Sequence, residues 1–98
     1  MVQNRKIERR CISYEGHVFK PLAVPMKDLD QITLTKEEIT ALYYADFLSF
    51  KQNSAAEKMG ISQASFSRDL ATAHSKIADA FFNTKAILFE EPEEKEDE

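Results

Sequence analysis

Short polar side chains and one arginine lie close together between Ser62 and Arg68, in the stretch SQASFSR. Glutamine and arginine can each form two hydrogen bonds to the edge of one DNA base in the major groove. Short neighbouring side chains allow a helix to enter that groove, which is about 12 Å wide. These residue types therefore favour the reading of DNA bases, although small polar residues after a serine also begin many helices that bind nothing.

An apolar stripe decides which of these side chains face outward. From Phe66 onward, apolar residues recur at spacings of four, three, four and four, which predicts one helix of about five turns. The residues expected to face the core are Phe66, Leu70, Ala73, Ile77 and Phe81. The residues left on or beside the exposed face of the first two turns are Gln63, Ala64, Ser65, Ser67 and Arg68.

A shorter apolar pattern precedes this helix. Ala55, Ala56 and Met59 fall on one face of a predicted helix, and the two alanines permit a close crossing with a second helix. Gly60 follows this pattern, and a glycine just past a helix can adopt the left-handed conformation that turns the chain sharply. The sequence therefore predicts a helix that ends at this glycine.

The turn itself has residues suited to joining two helices. Ile61 is placed to fill the angle between them, and the Ser62 hydroxyl can cap the N-terminus of the second one. The order over Gln52–Phe82 is thus a short helix, a tight turn and a longer helix. This is the layout of a helix-turn-helix DNA reader.

A third helix is predicted earlier in the chain, where it can support the other two. Thr35 and Glu38 have the spacing of a capping box, in which each side chain accepts from the backbone of the other residue. The helix is expected to run to about Leu48. The preceding segment, Lys27–Thr33, is short and acidic, with Leu29 and Ile32 as candidate apolar anchors.

Two short segments have the character of strands. Val18–Lys20 and Ala86–Phe89 are apolar and short, and we expect them to pair. Pro21 and Pro25 exclude a helix through the N-terminal region. The predicted fold class is therefore mainly α, a three-helix helix-turn-helix domain with a small β addition from the N-terminal segment and from residues 86–89.

Charge divides the 98 residues into three parts. Residues 1–10 have a net charge of +3 and are expected to form a basic flexible arm, whereas residues 90–98 have a net charge of −6 and are expected to form a disordered acidic tail. Since the whole chain has a net charge of −4, residues 11–89, the predicted domain, are close to neutral at −1. Phosphate contacts supply much of the affinity of DNA-binding proteins, so a monomer should bind DNA weakly.

Other classes of protein find little support. Cys11 and His17 are too few to close a tetrahedral metal site, and the chain has no glycine-rich phosphate loop, so we expect neither a metal, nor a cofactor, nor an enzyme. No apolar run approaches the ~20 residues that span a bilayer. A single cysteine and the lack of a secretory signal favour the cytoplasm.

The chain resembles the small predicted DNA-binding proteins of bacteria and archaea catalogued as domain of unknown function 134. Their helix-turn-helix is similar to region four of the primary sigma factors. The resemblance covers roughly residues 10–89. It is carried by Phe19-Lys20-Pro21, Val24-Pro25, Leu34-Thr35, Glu37-Glu38-Ile39, Ala41-Leu42, Ala45-Asp46, Gln52, Ala55-Ala56-Glu57, Met59-Gly60-Ile61-Ser62, Phe66, Arg68, Lys76, Ala78, Ala80 and Lys85-Ala86.

This resemblance implies sequence-specific binding of double-stranded DNA and a role in transcriptional regulation. By analogy with sigma region four, Gln63, Ala64 and Arg68 would face base edges. The residues implied to lie near phosphates are Ser62, Ser65, Ser67 and Lys76.

Five positions depart from the pattern of that family. Glycine is usual where this chain has Ala23, Ser49 and Thr84. Tyr43 stands at a usual arginine, and Lys51 at a usual capping serine.

A second interpretation is a helix-turn-helix scaffold that binds protein and not DNA, since one fold serves many functions. The acidic tail and the weak basic charge favour it. So do the aromatic residues, which either fill the core or form the contact of a homodimer, namely Tyr43, Tyr44, Phe47, Phe50, Phe81 and Phe82. The tail is expected either to increase solubility or to compete with DNA for the basic surface.

Overall fold

The structure is a computed structural model, and it describes residues 11–12 and 18–90 of the chain. The predicted basic arm, residues 1–10, lies outside the described residues. So do His17 and the part of the predicted acidic tail that follows Glu90.

Within the described residues the chain forms three α-helices and three β-strands, which confirms the predicted fold class. In chain order they are β1 (Val18–Phe19), β2 (Gln31–Leu34), α1 (Lys36–Leu42), α2 (Gln52–Met59), α3 (Gln63–Asn83) and β3 (Ala86–Phe89). A 3₁₀ turn, Met26–Asp28, precedes β2, and a π-helical turn, Tyr43–Phe47, continues α1 almost to its predicted end at Leu48.

The strands form one sheet with β3 in the middle, in the order β1-β3-β2. β1 pairs with β3 antiparallel, with Val18 opposite Leu88, and this pairing of the two apolar segments was predicted. β2 pairs with β3 in parallel, with Gln31 opposite Ala86. β2 was not predicted, because its partner strand is formed more than fifty residues later in the chain.

The capping box at the start of α1 is formed as predicted. The Thr35 hydroxyl accepts from the backbone N–H of Glu38 at 3.2 Å, and the Thr35 N–H donates to Glu38 Oε1 at 2.9 Å. The adjacent N–H of Lys36 donates to Glu90 Oε1 at 2.8 Å, and the Glu90 N–H donates to the carbonyl of Leu34 at 2.9 Å. Glu90, the first residue of the predicted tail, is thus hydrogen bonded to the domain.

Two apolar clusters lie along α3, one toward each end. The first lies where α2 crosses α3, and its buried members include Ala55, Ala56, Met59, Phe66 and Leu70. The second lies between α3, α1 and the sheet, with Leu34, Ile39, Ala73, Ala80 and Ile87 buried. Burial of these side chains fixes the rotation of α3 about its own axis, so its opposite face is left to solvent.

The inward stripe of α3 departs from the prediction in its last turn. Phe81 is exposed, and Ala80 is buried in its place. A repeat of 3.6 residues leaves both positions near the edge of the stripe after Ile77. The chain also turns back closely here, since the Lys85 N–H donates to the Ala80 carbonyl at 3.0 Å. A methyl group fits this close approach better than an aromatic ring.

Three residues other than glycine adopt a left-handed backbone conformation. They are Ala23 (φ 72°), Ser49 (φ 62°) and Thr84 (φ 56°), each of which ends or reverses a segment. These are the three positions at which the resembling family usually has glycine. Since a Cβ atom makes this conformation unfavourable, these three residues adopt it at an energetic cost.

Candidate nucleic-acid interface

The turn between α2 and α3 is built by local hydrogen bonds. Gly60 has φ 71° and ψ 33°, and its N–H donates to the Glu57 carbonyl at 3.1 Å. The Ile61 N–H reaches the Ala56 carbonyl at 3.1 Å, so two of the last carbonyls of α2 are satisfied. Ile61 packs against the first apolar cluster, as predicted.

Ser62 caps α3, as its position in the sequence predicts. Its hydroxyl oxygen accepts from the Ser65 N–H at 3.1 Å and lies 3.1 Å from the Ser65 hydroxyl. The cap fixes the residue at which α3 begins, and therefore the face on which every following side chain lies. Ser62 itself is exposed and Ser65 is half-buried.

The first two turns of α3 have a buried side and an exposed side. Phe66 is fully buried and Leu70 nearly so, in contact with α2. Gln63, Ala64 and Arg68 are exposed. The structure thus leaves all three residues implied to read base edges exposed in the first two turns of one helix, with Ala64 and Arg68 on one face and Gln63 about 140° around the axis from Arg68.

Ser67 is engaged with the neighbouring helix. Its hydroxyl donates to the side-chain carbonyl of Gln52, the first residue of α2. This contact ties the start of α2 to the second turn of α3 and holds the two helices at one angle. Gln52 was not assigned to the site from the sequence, although it belongs to the residues that carry the family resemblance.

Lys76 lies apart from the other residues assigned to the interface. It is eight residues after Arg68, or about 12 Å farther along α3. Its ammonium donates to Glu38 Oε1 at 2.8 Å and to the carbonyl of Thr33 at 2.7 Å. Glu38 is buried, so this cation neutralises an interior carboxylate. Its implied contact with phosphate stays a prediction.

Lys51 is a second residue that the sequence did not assign to the site. It precedes α2 as its N-cap residue and is exposed. Within the described residues, its side chain makes no capping hydrogen bond to the start of α2. An exposed cation beside the N–H groups at a helix N-terminus is suited to a phosphate. The departure from a capping serine was the signal for it.

The far end of α3 is held by charged side chains. Asp79 Oδ1 accepts from the Asn83 amide at 2.6 Å, and Asp79 Oδ2 accepts from the Lys85 ammonium at 2.9 Å. These hydrogen bonds hold the pKa of the Asp79 carboxyl below its usual value, and the one from Asn83 has the larger effect.

Halfway along α3, His74 Nε2 lies 2.7 Å from Asp46 Oδ2 and so links α3 to the π-helical turn.

Within residues 11–12 and 18–90, no three His, Cys, Asp or Glu side chains come together to hold a metal ion. No helix in this part of the chain is both long and apolar enough to cross a membrane.

Comparison with known proteins identifies relatives of this chain. The family described as "Protein of unknown function DUF134" matches residues 1–97. A UPF0251 protein of Methanocella arvoryzae is 42% identical over 85 residues, which cover 85% of this chain and 51% of the relative. A UPF0251 protein of Methanosarcina mazei is 40% identical over 83 residues, 84% of this chain and 49% of the relative.

A shorter relative matches over most of its length. This UPF0251 protein of Vibrio parahaemolyticus is 39% identical over 85 residues, 86% of this chain and 88% of the relative. The chain thus spans about half the length of the Methanocella and Methanosarcina relatives. No solved structure matches the chain.

Proposed function

This chain belongs to the family described as protein of unknown function DUF134, and on that premise we propose that it is a sequence-specific DNA-binding protein. It binds double-stranded DNA through the outer face of α3 and acts in the cytoplasm as a regulator of transcription. No cofactor and no catalytic step are part of this function.

One observation carries the proposal, the exposure of the reading face. Gln63, Ala64 and Arg68, which form the reading face, are exposed on the first two turns of α3, while Phe66 and Leu70 are buried. A glutamine, a methyl group and an arginine on adjacent turns can make the polar and apolar contacts that distinguish base pairs in the major groove. Burial of Gln63 and Arg68 would have excluded this use of the helix.

The surroundings of the reading face supply contacts to phosphate. Ser62 lies exposed at the N-terminus of α3, where backbone N–H groups and the helix dipole favour an anion. Lys51 lies exposed at the N-terminus of α2, which the Gln52–Ser67 hydrogen bond holds against α3. In this arrangement Ser67 positions the two helices, and Ser65 supports the cap.

The charge of the domain sets the strength of binding. Residues 11–89 have a net charge of −1, so few phosphates can be neutralised by one copy. The affinity of a single copy should therefore be low, with a shallow dependence on salt concentration. Sequence preference then depends on contacts with bases more than on overall attraction.

Selection of bound duplexes from a random pool tests the proposal. The full-length protein is incubated with the pool at low salt, and bound duplexes are amplified and sequenced over several rounds. We expect one short motif to be enriched. A matched selection with Gln63→Ala and Arg68→Ala combined should lose that motif. A pool that shows no enrichment, with no duplex retained at low salt, would contradict the proposal.

The exposed aromatic side chains favour a second candidate, a protein-interaction module. Phe47, Phe81 and Phe82 are all exposed. If this were the only function, the selection would fail, and substitution of Gln63 and Arg68 would leave binding to the partner unchanged.

A further inference from the structure

An apolar groove lies at the C-terminal end of α3, far from the reading face. It has a volume of about 270 Å³ and runs between β1, β3 and the last turn of α3. Phe19, Pro21, Phe81 and Ile87 line it. Phe19 and Phe81 are 69% and 70% exposed, so two aromatic rings of this groove stand largely in solvent.

The lysines beside the groove are already engaged within the fold. Lys20 donates to the carbonyls of Pro21 at 3.2 Å and Val24 at 2.6 Å. Lys85 pairs with Asp79 at 2.9 Å. An anion gains little from these cations, so the groove fits an apolar occupant.

Two protruding side chains extend the apolar surface. Leu22, on the turn that follows Pro21, is 94% exposed. Phe82 is 84% exposed and lies about 100° around α3 from Phe81, at the margin of the same helix end. With Phe19 and Phe81 they present about 600 Å² of apolar side chain, taking 150–250 Å² for each aromatic. This is at the upper limit of what a monomer usually leaves uncovered.

The surface has the features required of a contact between two identical chains. It combines a groove with a protruding leucine beside it, so a two-fold axis can bring each leucine to the groove of the other chain. Two copies would together bury at most about 1,200 Å² of this apolar surface, which is the lower limit for a stable specific interface. We propose that a second copy of this chain docks here, forming a symmetric homodimer through Phe19, Leu22, Phe81 and Phe82.

The position of this contact has a consequence for DNA binding, which rests on the proposed function. α3 has 21 residues and is about 30 Å long, with the reading residues at its start and the groove at its end. A dimer joined at the groove keeps both reading faces open and separates them. Since each reading face lies about 20–30 Å from the groove along α3, the angle between the two α3 helices sets the spacing of the half-sites, and the two-fold axis relates one half-site to the other. The bound sequence should therefore be an inverted repeat.

Measurement of molar mass in solution tests the contact directly. We expect light scattering on the eluting full-length protein at micromolar concentration to give twice the 11.2 kDa of one chain. Leu22→Glu should give the mass of one chain, since each chain would have to bury a carboxylate in the apolar groove of the other, and its circular dichroism should match the parent because Leu22 is exposed. Phe81→Glu should act in the same way.

A matched control lies on another face. Phe47 is 75% exposed and stacks on Tyr43, away from the groove, so Phe47→Glu should leave the mass of the dimer unchanged. A parent protein with the mass of one chain would overturn the proposal. So would a dimer that survives Leu22→Glu and Phe81→Glu.

DNA titrations separate this inference from the proposed function. On a duplex with two half-sites, Leu22→Glu should lose about 100-fold in affinity, the low end of the gain from linking two readers. On a duplex with one half-site its affinity should equal that of the parent. Dimers that bind no DNA would refute the function alone, whereas monomers that bind a single half-site would refute the dimer alone.

Discussion

Arg68 lies exposed on the second turn of α3, on the same side as Ala64 and opposite the buried Phe66. If it reads a base, Arg68→Ala should cost about 1–3 kcal/mol at one position of the selected motif and relax specificity there. Titration of duplexes that differ at single positions measures this effect.

The control for Arg68→Ala is the removal of another positive charge, at a residue outside the proposed interface. Lys27, exposed in the 3₁₀ turn before β2, is not part of the proposed interface, so Lys27→Ala should leave the preference at every position unchanged. Equal loss of affinity on all duplexes after Arg68→Ala would show that this residue contacts phosphate and does not read a base.

The three left-handed residues lead to a prediction about stability. Thr84 is branched at Cβ and has φ 56°, so Thr84→Gly should raise the free energy of unfolding by about 0.5–1 kcal/mol. Ser49→Gly and Ala23→Gly should act in the same direction. Denaturation by urea measures the difference, and the slope of the free energy of unfolding against urea concentration should stay unchanged.

A matched glycine substitution tests the cause. Ala71 lies exposed within α3, where φ is helical, and Ala71→Gly should lower the free energy of unfolding by about 1 kcal/mol. If Thr84→Gly lowered stability as well, the left-handed conformation would not be a source of strain at that position.

At the start of α2, one residue is expected to have opposite effects on the stability of the protein and on its affinity for DNA. Lys51 is its N-cap residue and has extended backbone angles, φ −68° and ψ 154°, which a capping serine also adopts. Lys51→Ser should therefore stabilise the protein by about 1 kcal/mol. Because it removes a cation proposed to contact phosphate, it should also weaken binding to all sequences and reduce the salt slope by about one. Thermal unfolding and salt titrations measure the two effects, and a gain in both would remove Lys51 from the interface.

The ion pair between α1 and α3 joins the supporting helix to the reading helix. Lys76→Met should cost about 3 kcal/mol, because the buried carboxylate of Glu38 loses the cation 2.8 Å away. Glu38→Gln and Lys76→Met combined should cost less than the sum of the single changes. A double-mutant cycle in urea measures this coupling. If the effects of the two single changes simply add, the coupling free energy between Glu38 and Lys76 is zero, and their ion pair does not stabilise the protein.

How far the sequence predicted these elements depended on the distance between partners along the chain. Thr35 with Glu38, and Gly60 with Ser62, interact within one turn, and their residue types are sufficient to predict the cap and the turn. β2 has only four residues and pairs in parallel with β3, which is formed more than fifty residues later, so no local pattern indicates it. Phe81 was wrongly predicted to face the core. Its burial depends on where β3 packs against α3, and the spacing of apolar residues along one helix gives no information about that.

The candidate site was predictable to the same degree. Its reading face follows from the stripe of α3 and from the cap at Ser62, both of them local. The engagement of Lys76 by Glu38 and of Ser67 by Gln52 required the crossing of helices, so it emerged from the structure alone.

For the molecule as a whole, the division of charge predicts an effect of the acidic tail. Residues 91–98 contribute a net charge of −5, since Glu90 accounts for one of the −6 of residues 90–98. Deletion of residues 91–98 should raise the affinity for DNA at low salt if the tail competes for the basic surface, with the difference vanishing at high salt. Equal affinities at low salt would leave solubility as the role of the tail. Replacement of its acids by the corresponding amides is the matched control for length.

The sheet also sets an order of events during synthesis. β3 is the middle strand, yet it leaves the ribosome after β1, β2 and all three helices. Until Ala86–Phe89 emerge, the two outer strands have nothing to pair with, while α2 and α3 can already pack through local contacts. A nascent chain stalled before residue 86 should therefore hold a helical unit without its sheet, and would be open to proteolysis near its N-terminus.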